Sequence, residues 1–572
     1  MENKPFRIGL CMAGAVSAGA YTAGVMDYLT EALEIWEQNR GNANVPSHRV
    51  TIPVMGGASA GGMTALLAAS AINNPVTPIK LPERGKLLDE HPENKLYHSW
   101  VDLTGADMFP KLLSTTDITK GHVISLLNSQ FIDEVAQKLL RADINQWKPT
   151  PVFFESPLKI FTTLSNLEGF HYNVDFNSGK RREKYNMSVH NDYACFEVSD
   201  RTDFKPSKGW MPLNFKTGEN VSTARDAAMA TGAFPVGLRA RIVEREAESI
   251  NEIPWLKSVF NNNPLPPGKH KSLHVDGGMI NNEPFEKVRD LLDDITLESR
   301  DLKFASMEQR QEFLSQLNSN YNTFENTILM IDPFPSAEAK AFDYGYGLFS
   351  IIGKTLSAMT SQMRAKPINY QSAMQLVDAG QYIISPSRQI RDNSGNVVEE
   401  LFGEKAIACG TLAGFGGFLS KEFRIHDYYL GRYNCEVFLR DYFTIPAEAL
   451  EKHPTFHDGY RNANAEAFSS MATGEKRYQI IPIFSERPAK GYFPMPAFSG
   501  GTNWPAMDKK AVDRFSGPLR DRIQAVLLNL AELNWFTNSL VWIGAKVVLN
   551  RLLGNKVLDA IKKSLESWKL LR

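Results

Sequence analysis

The stretch that decides the fold is Val50–Ala69, VTIPVMGGASAGGMTALLAA. An extended apolar run, Val50 to Met55, enters Gly57-Ala58-Ser59-Ala60-Gly61, and a small-residue helical run beginning near Gly61 leaves it. This is the G-x-S-x-G pattern in a strand–turn–helix context, the setting of a nucleophile elbow. Glycine on both sides of the serine suits a sharp, strained turn in which a nearby Cβ would meet backbone. The helix behind Ser59 aims its free N–H groups and positive dipole end at any oxyanion that develops there.

Upstream, Phe6 to Met12 is a short apolar run of strand length, followed by the loop Ala13-Gly14-Ala15-Val16-Ser17-Ala18-Gly19. Tyr21, Val25, Tyr28, Leu29, Ala32, Leu33 and Trp36 then recur at helical spacing. Strand, loop, helix, strand, elbow and helix make a βαβ unit, whose right-handed crossover sets both loops side by side at the carboxyl ends of parallel strands. Gly14 to Gly19 has the spacing of a phosphate loop, but Ala20-Tyr21 stands where Lys-Ser/Thr is required. A dinucleotide fold would end its second strand in an acid, and this one ends in Gly56-Gly57-Ala58-Ser59. The loop is therefore read as backbone N–H groups beside a serine.

Composition narrows the classes further. With 572 residues and 43% hydrophobic content, the chain suggests two to four structural units and no default disorder. Lys+Arg 63 against Asp+Glu 64 leaves a net charge of −1, so no global field recruits nucleic acid. Cys11, Cys195, Cys409 and Cys435 are scattered without metal-site spacing and read as reduced buried thiols. The N-terminus runs straight into a strand and lacks the pattern of a signal peptide, which makes a cytoplasmic location the expectation.

Residues 73–150 read as a helical insertion with no chemistry of its own, and Leu158 to Leu164 as the next buried strand. Asn177-Ser178-Gly179 is the turn signal of a hairpin. Ser222 to Leu238, STARDAAMATGAFPVGL, is a small-residue helix that ends in Gly and Pro. Asp276, before Gly277-Gly278, is a carboxylate at a strand end, again on the crevice side.

GAYTAGVMDYL after the first loop, G-A-S-A-G, the ATGAFP block and D-G-G followed by NNEP occur in this order between Arg7 and Pro284. Together they resemble the bacterial patatin-like phospholipases, a family of lipid acyl hydrolases. TLAGFGGFLSKEFRIHDYYLGRYN is similar to a segment of some longer bacterial members. The resemblance implies a three-layer α/β/α sandwich with a mainly parallel sheet, and a Ser–Asp dyad of Ser59 and Asp276. Gly14, Ala15, Val16 and Ala60 would then form the oxyanion hole, with Gly57, Gly61, Gly277 and Gly278 shaping the elbow and dyad loop. The family's loop is usually richer in glycine and carries a basic residue before its last glycine; here Val16, which resists a positive φ, and Ala18 occupy the loop. His426, His453 and His457 are available for a triad, but a serine after only the second strand favours the dyad. A dyad requires no metal or cofactor.

The expected organisation is a catalytic domain over 1–335 with insertions at about 73–150 and 165–215, a mainly helical extension over 336–445 packed on the core, and a C-terminal region over 446–572 that ends in a basic amphipathic helix. The uncharged run Leu533 to Ala545 is shorter than the roughly 20 residues that span a bilayer. The stripe Leu549, Leu552, Leu553, Val557, Ile561, Leu565 and Trp568 on a basic helix suits either a membrane interface or the chain's own core. The function expected is hydrolysis of a phospholipid, lysophospholipid or other acyl-ester lipid, with peripheral contact at the inner membrane surface. The alternatives are a lipid-binding or scaffold protein with weak or lost catalysis, and an acyltransferase on the same dyad.

Overall fold

The computed structural model describes residues 4–83, 85–102, 108–178, 181–261, 263–335, 344, 351, 378–392, 394, 396–486, 495–530 and 540–572. The hairpin tip at Gly179 and Lys180, the expected helices over 336–377 apart from 344 and 351, and the uncharged run over 533–539 lie outside these residues.

Among the described residues, nine strands form the central sheet: β1 (Phe6–Met12), β2 (Val50–Gly57), β3 (Phe154–Ser178), β4 (Arg181–Val198), β5 (Met211–Leu213), β6 (Arg241–Glu246), β7 (Lys269–Asp276), β8 (Asn326–Ile331) and β9 (Gln381–Ile384). The order β5-β4-β3-β2-β1-β8-β9 is parallel from β3 through β9, and β7 joins β3 in antiparallel sense with β6 beyond it. β1 and β2 are near-continuous apolar runs because both their faces are covered, as the parallel core of an α/β fold requires.

Alternation along β1 separates the two layers. Ile8, Leu10 and Met12 join Tyr21, Val25 and Leu29 of helix α1 (Gly19–Asn39) in the larger core. Cys11 faces the other side, with Val288, Leu291 and Leu292. The remaining helices used below are α2 (Ser59–Ala71), α3 (Gln130–Leu139), α4 (Val221–Thr231), α5 (Phe285–Arg300), α6 (Lys421–Asp441), α7 (Ser516–Leu530) and α8 (Leu540–Ser567). The four cysteines are buried free thiols.

One expectation changes. Residues 165–215 are not an insertion outside the sheet: β3 runs on past Leu164, and β4 and β5 extend the sheet to its edge. The two sides of 335 are joined by pairing and by charge. β9 pairs with β8, and Arg432 of α6 forms ion pairs with Asp27 and Glu31 of α1, so the second half closes the core of the first. The C-terminal part of the basic helix stripe lies on the chain's own core, one of its two readings: Ile561 and Leu565 are buried, while Leu553 and Val557 remain exposed. No helix of the described residues is long and apolar enough to cross a membrane.

Candidate active site

β2 delivers the chain to Ala58 in extended conformation, and α2 starts at Ser59, which is held at φ 50. That left-handed backbone is the strained turn implied by the sequence. The glycines let it close: a Cβ at Gly61 would stand 2.2 Å from the Met12 carbonyl oxygen, and one at Gly57 would stand 2.7 Å from the Gly62 nitrogen. The Ser59 N–H donates to Thr231 Oγ1 of α4 at 2.8 Å, so a second helix fixes the turn from above.

Asp276 ends β7, opposite Leu164 of β3. Its Oδ2 accepts the Ser59 hydroxyl at 2.7 Å, and its Oδ1 accepts the Gly278 N–H at 2.8 Å. The backbone is held as well: the Asp276 N–H donates to Ala233 O at 2.9 Å, and Ser165 Oγ donates to Asp276 O at 2.7 Å. Only 7% of Ser59 and 6% of Asp276 is exposed. Burial raises the Asp276 carboxyl to about 6, and the two donors facing it only partly offset that.

The first loop lies against the serine, because a Cβ at Gly14 would be 3.1 Å from Ser59 Cβ. Gly14 itself is not a spare donor, since its N–H goes to Asn282 O at 3.2 Å. Among the described residues, the N–H groups of Ala15, Val16 and Ala60 find no protein acceptor. Val16 sits at φ 49 despite its β-branch. What holds it there comes from the second half of the chain. The Ser17 N–H donates to Gly414 O at 3.1 Å, the Ser17 hydroxyl donates to the same oxygen, and the Gly417 N–H donates to Ser17 Oγ at 3.0 Å.

The serine and aspartate open into a cavity with about 1140 Å³ of empty space, part of it continuous with solvent. Met63 and Leu67 of α2, Phe131, Val135 and Leu139 of α3, and Phe415 and Phe418 line it. The 73–150 segment, read as an insertion with no chemistry of its own, supplies one wall of the cavity through α3. Its ion pair between Asp133 and Arg241 ties that wall to β6.

The histidines are engaged elsewhere. His426 is fully buried with Nδ1 2.8 Å from Asp427, whose carboxylate also accepts the N–H groups of Ala408 and Cys409. His453 Nε2 is 2.6 Å from Phe324 O, and His457 is an exposed residue of a short surface helix. Sequence reading missed Thr231, Ser165, Asn282, Ser17 and Gly414. The ATGAFP and NNEP blocks flagged the neighbourhood of Thr231 and Asn282, but no local pattern points to Ser17 meeting Gly414.

A mainly parallel α/β/α sandwich, with a serine on a strained strand-to-helix turn facing an apolar cavity, has the build of a lipid acyl hydrolase. Residues 10–289 match the family model described as patatin-like phospholipase, so this part of the chain is a patatin-like phospholipase domain. The chain is also similar to an uncharacterized protein, y4iI, of Sinorhizobium fredii, at 28% identity over 612 aligned residues that cover 98% of this chain and 81% of the relative. That similarity extends through the second half, which carries Gly414 and Phe415.

Proposed function

We propose that this protein hydrolyses acyl esters of phospholipid or lysophospholipid with Ser59 as nucleophile and Asp276 as its base, in the cytoplasm and at the membrane surface. The observation that carries this reading is the 2.7 Å hydrogen bond from the Ser59 hydroxyl to a buried carboxylate in the lining of an apolar cavity. Asp276 accepts the Ser59 proton as Oγ forms its bond to the ester carbonyl carbon. The carbonyl oxygen becomes an oxyanion facing the N–H groups of Ala15, Val16 and Ala60 and the start of α2. Collapse breaks the ester C–O bond, the leaving alcohol takes the proton from Asp276, and the acyl group stays on Ser59. Water, deprotonated by Asp276, then releases the fatty acid.

A carboxyl raised to about 6 serves this chemistry better than one at its ordinary 3.8, since it is a stronger base that is still ionised at neutral pH. The apolar cavity suits an acyl chain, and neither its lining nor the dyad calls for a cofactor. Val16 adopts φ 49 and keeps its N–H, which supports catalysis by a loop that lacks the family's basic residue. The test is fluorophosphonate labelling together with product analysis on phosphatidylcholine and lysophosphatidylcholine. Labelling and fatty-acid release that both disappear in Ser59→Ala support the reading, and release that persists in Ser59→Ala sinks it. Adding an acceptor alcohol separates hydrolysis from acyl transfer.

A further inference from the structure

The dyad accounts for the inner cavity and leaves its rim unexplained. Val236, between Pro235 and Gly237 in the loop after α4, is held at φ 65 with 72% of its surface exposed. A β-branched residue in the left-handed region strains its own backbone, and here no packing compensates because the side chain stands in water. The turn is nonetheless pinned: the N–H groups of Leu126 and Leu127 donate to the carbonyls of Val236 and Gly237, each at 2.9 Å. Those bonds bring Leu126 alongside Val236, with Ile124 two residues upstream and Phe234 two residues away on the cavity side. All three are exposed. Arg239, three residues on, is exposed, lines the same cavity and has no ion-pair partner among the described residues.

We propose that Ile124, Leu126, Phe234 and Val236 form the surface by which the protein docks on a phospholipid bilayer, with Arg239 receiving the lipid phosphate as the ester enters the cavity. The inference rests on the lipid-ester reading above. Continuity argues for this occupant, because Phe234 and Arg239 belong both to the rim and to the cavity lining. A protein seated on the rim would cover the entrance, whereas a bilayer supplies substrate through it. Charge argues the same way. With a net charge of −1 the chain has no general attraction for anionic surfaces, so a cation at the entrance without an ion-pair partner among the described residues is the local complement to a phosphate.

The test uses the full chain and vesicle flotation, with vesicles of phosphatidylcholine alone and of phosphatidylcholine mixed with phosphatidylglycerol. Val236→Asn is the informative variant. Asparagine tolerates the left-handed backbone, so the turn is kept while its apolar group is removed. Flotation should fall roughly tenfold for the loss of one inserted aliphatic side chain, with hydrolysis of a soluble short-chain ester unchanged. Arg239→Gln should weaken flotation roughly fivefold on the phosphatidylglycerol vesicles, the effect of one cation at an anionic surface. Wild-type protein that does not float, or Val236→Asn that floats equally well, overturns the inference. So does a dimer that dissociates in Val236→Asn while flotation stays unchanged, which would assign the rim to a second copy. Flotation is repeated on the Ser59→Ala background. An inactive wild type would sink the catalytic reading without touching the flotation result, and unaltered flotation would sink the rim with the dyad intact.

Discussion

Asp276→Asn should make the protein more stable while removing its activity. The substitution keeps the shape: an asparagine carbonyl can accept the Gly278 N–H as Oδ1 does at 2.8 Å, and its amide can meet Ser59 Oγ, now 2.7 Å from Oδ2. It deletes a buried ionisation. The carboxyl stands at about 6 against an ordinary 3.8, and at 1.36 kcal/mol per unit the ionised form costs the fold about 3 kcal/mol above both values. The sign follows from proton counts. Between 3.8 and about 6 the folded chain binds more protons at this site than the unfolded one, so wild-type stability from Asp276 is fullest at the acid end and is lost as pH rises through about 6. The variant lacks that loss. Urea unfolding of both proteins should show a stability difference about 1.4 kcal/mol larger at about pH 8 than at about pH 5. The rate of ester hydrolysis should fall by about 10²- to 10⁴-fold in the variant, and the wild-type kcat/KM should rise with pH through about 6. A stability difference independent of pH, or a wild-type profile flat through that window, would refute both the raised carboxyl and its role as base.

Ser59→Gly and Ser59→Ala should both abolish hydrolysis, yet the glycine variant should be more stable by about 1 kcal/mol in urea unfolding, because only glycine takes φ 50 freely. Equal stabilities would mean that the turn is unstrained. Gly414→Ala should lower kcat more than it raises KM. Gly414 is at φ 93, and an added Cβ would press within 3.2 Å of Val16 Cβ, displacing donors whose individual loss costs roughly 10²- to 10³-fold. An unchanged kcat would mean that the second half does not position the loop. Arg522→Ala should destabilise the protein by about 3–5 kcal/mol, since it strands the buried Asp117 and releases α7 from the carbonyls of Ser114, Ser125 and Leu126. A loss under about 1 kcal/mol in calorimetry would show that the tether is not structural.

What could be read beforehand is what local chemistry encodes. Around Ser59 the apolar runs, the small residues and the glycines all favour strand, turn and helix, and the structure places those elements within two residues of their expected positions. Asp276 was legible for the same reason, a carboxylate at the end of a strand before two glycines. β4 and β5 were misjudged because a sheet edge and a separate hairpin have the same alternation, and only pairing with β3 distinguishes them. GTLAGFGGFLS carries no signal of the turn it makes. Leu412, Ala413 and Gly414 take three successive positive φ values, so that the Gly414 carbonyl can reach Ser17 nearly four hundred residues upstream. No propensity scale anticipates that, since leucine and alanine both disfavour the conformation.

Of the nine described non-glycine residues at positive φ, Asn44 and Lys569 lie away from the site, and the other seven differ in what excuses them. Asn220 and Asp301 flank the ends of α4 and α5, where short polar side chains commonly adopt this conformation at little cost. Val16, Ser59, Val236, Leu412 and Ala413 have no such excuse: Val16 and Ser59 line the cavity, Val236 lies between the lining residues Phe234 and Leu238, and Leu412 and Ala413 precede the lining residue Phe415. At about 1–3 kcal/mol each, this strain would relax unless neighbouring structure over-determined it. The neighbours are identifiable: Thr231 and Asp276 for the elbow, Ser17 and Gly417 for the loop, and Leu126 and Leu127 for the rim. Several come from segments far away in the chain, which accounts for a core that runs unbroken from β1 to α8. Residues 1–335 alone would retain the serine and the aspartate but lose the carbonyl that holds Val16 in place, so the second half belongs to the site as much as the elbow does.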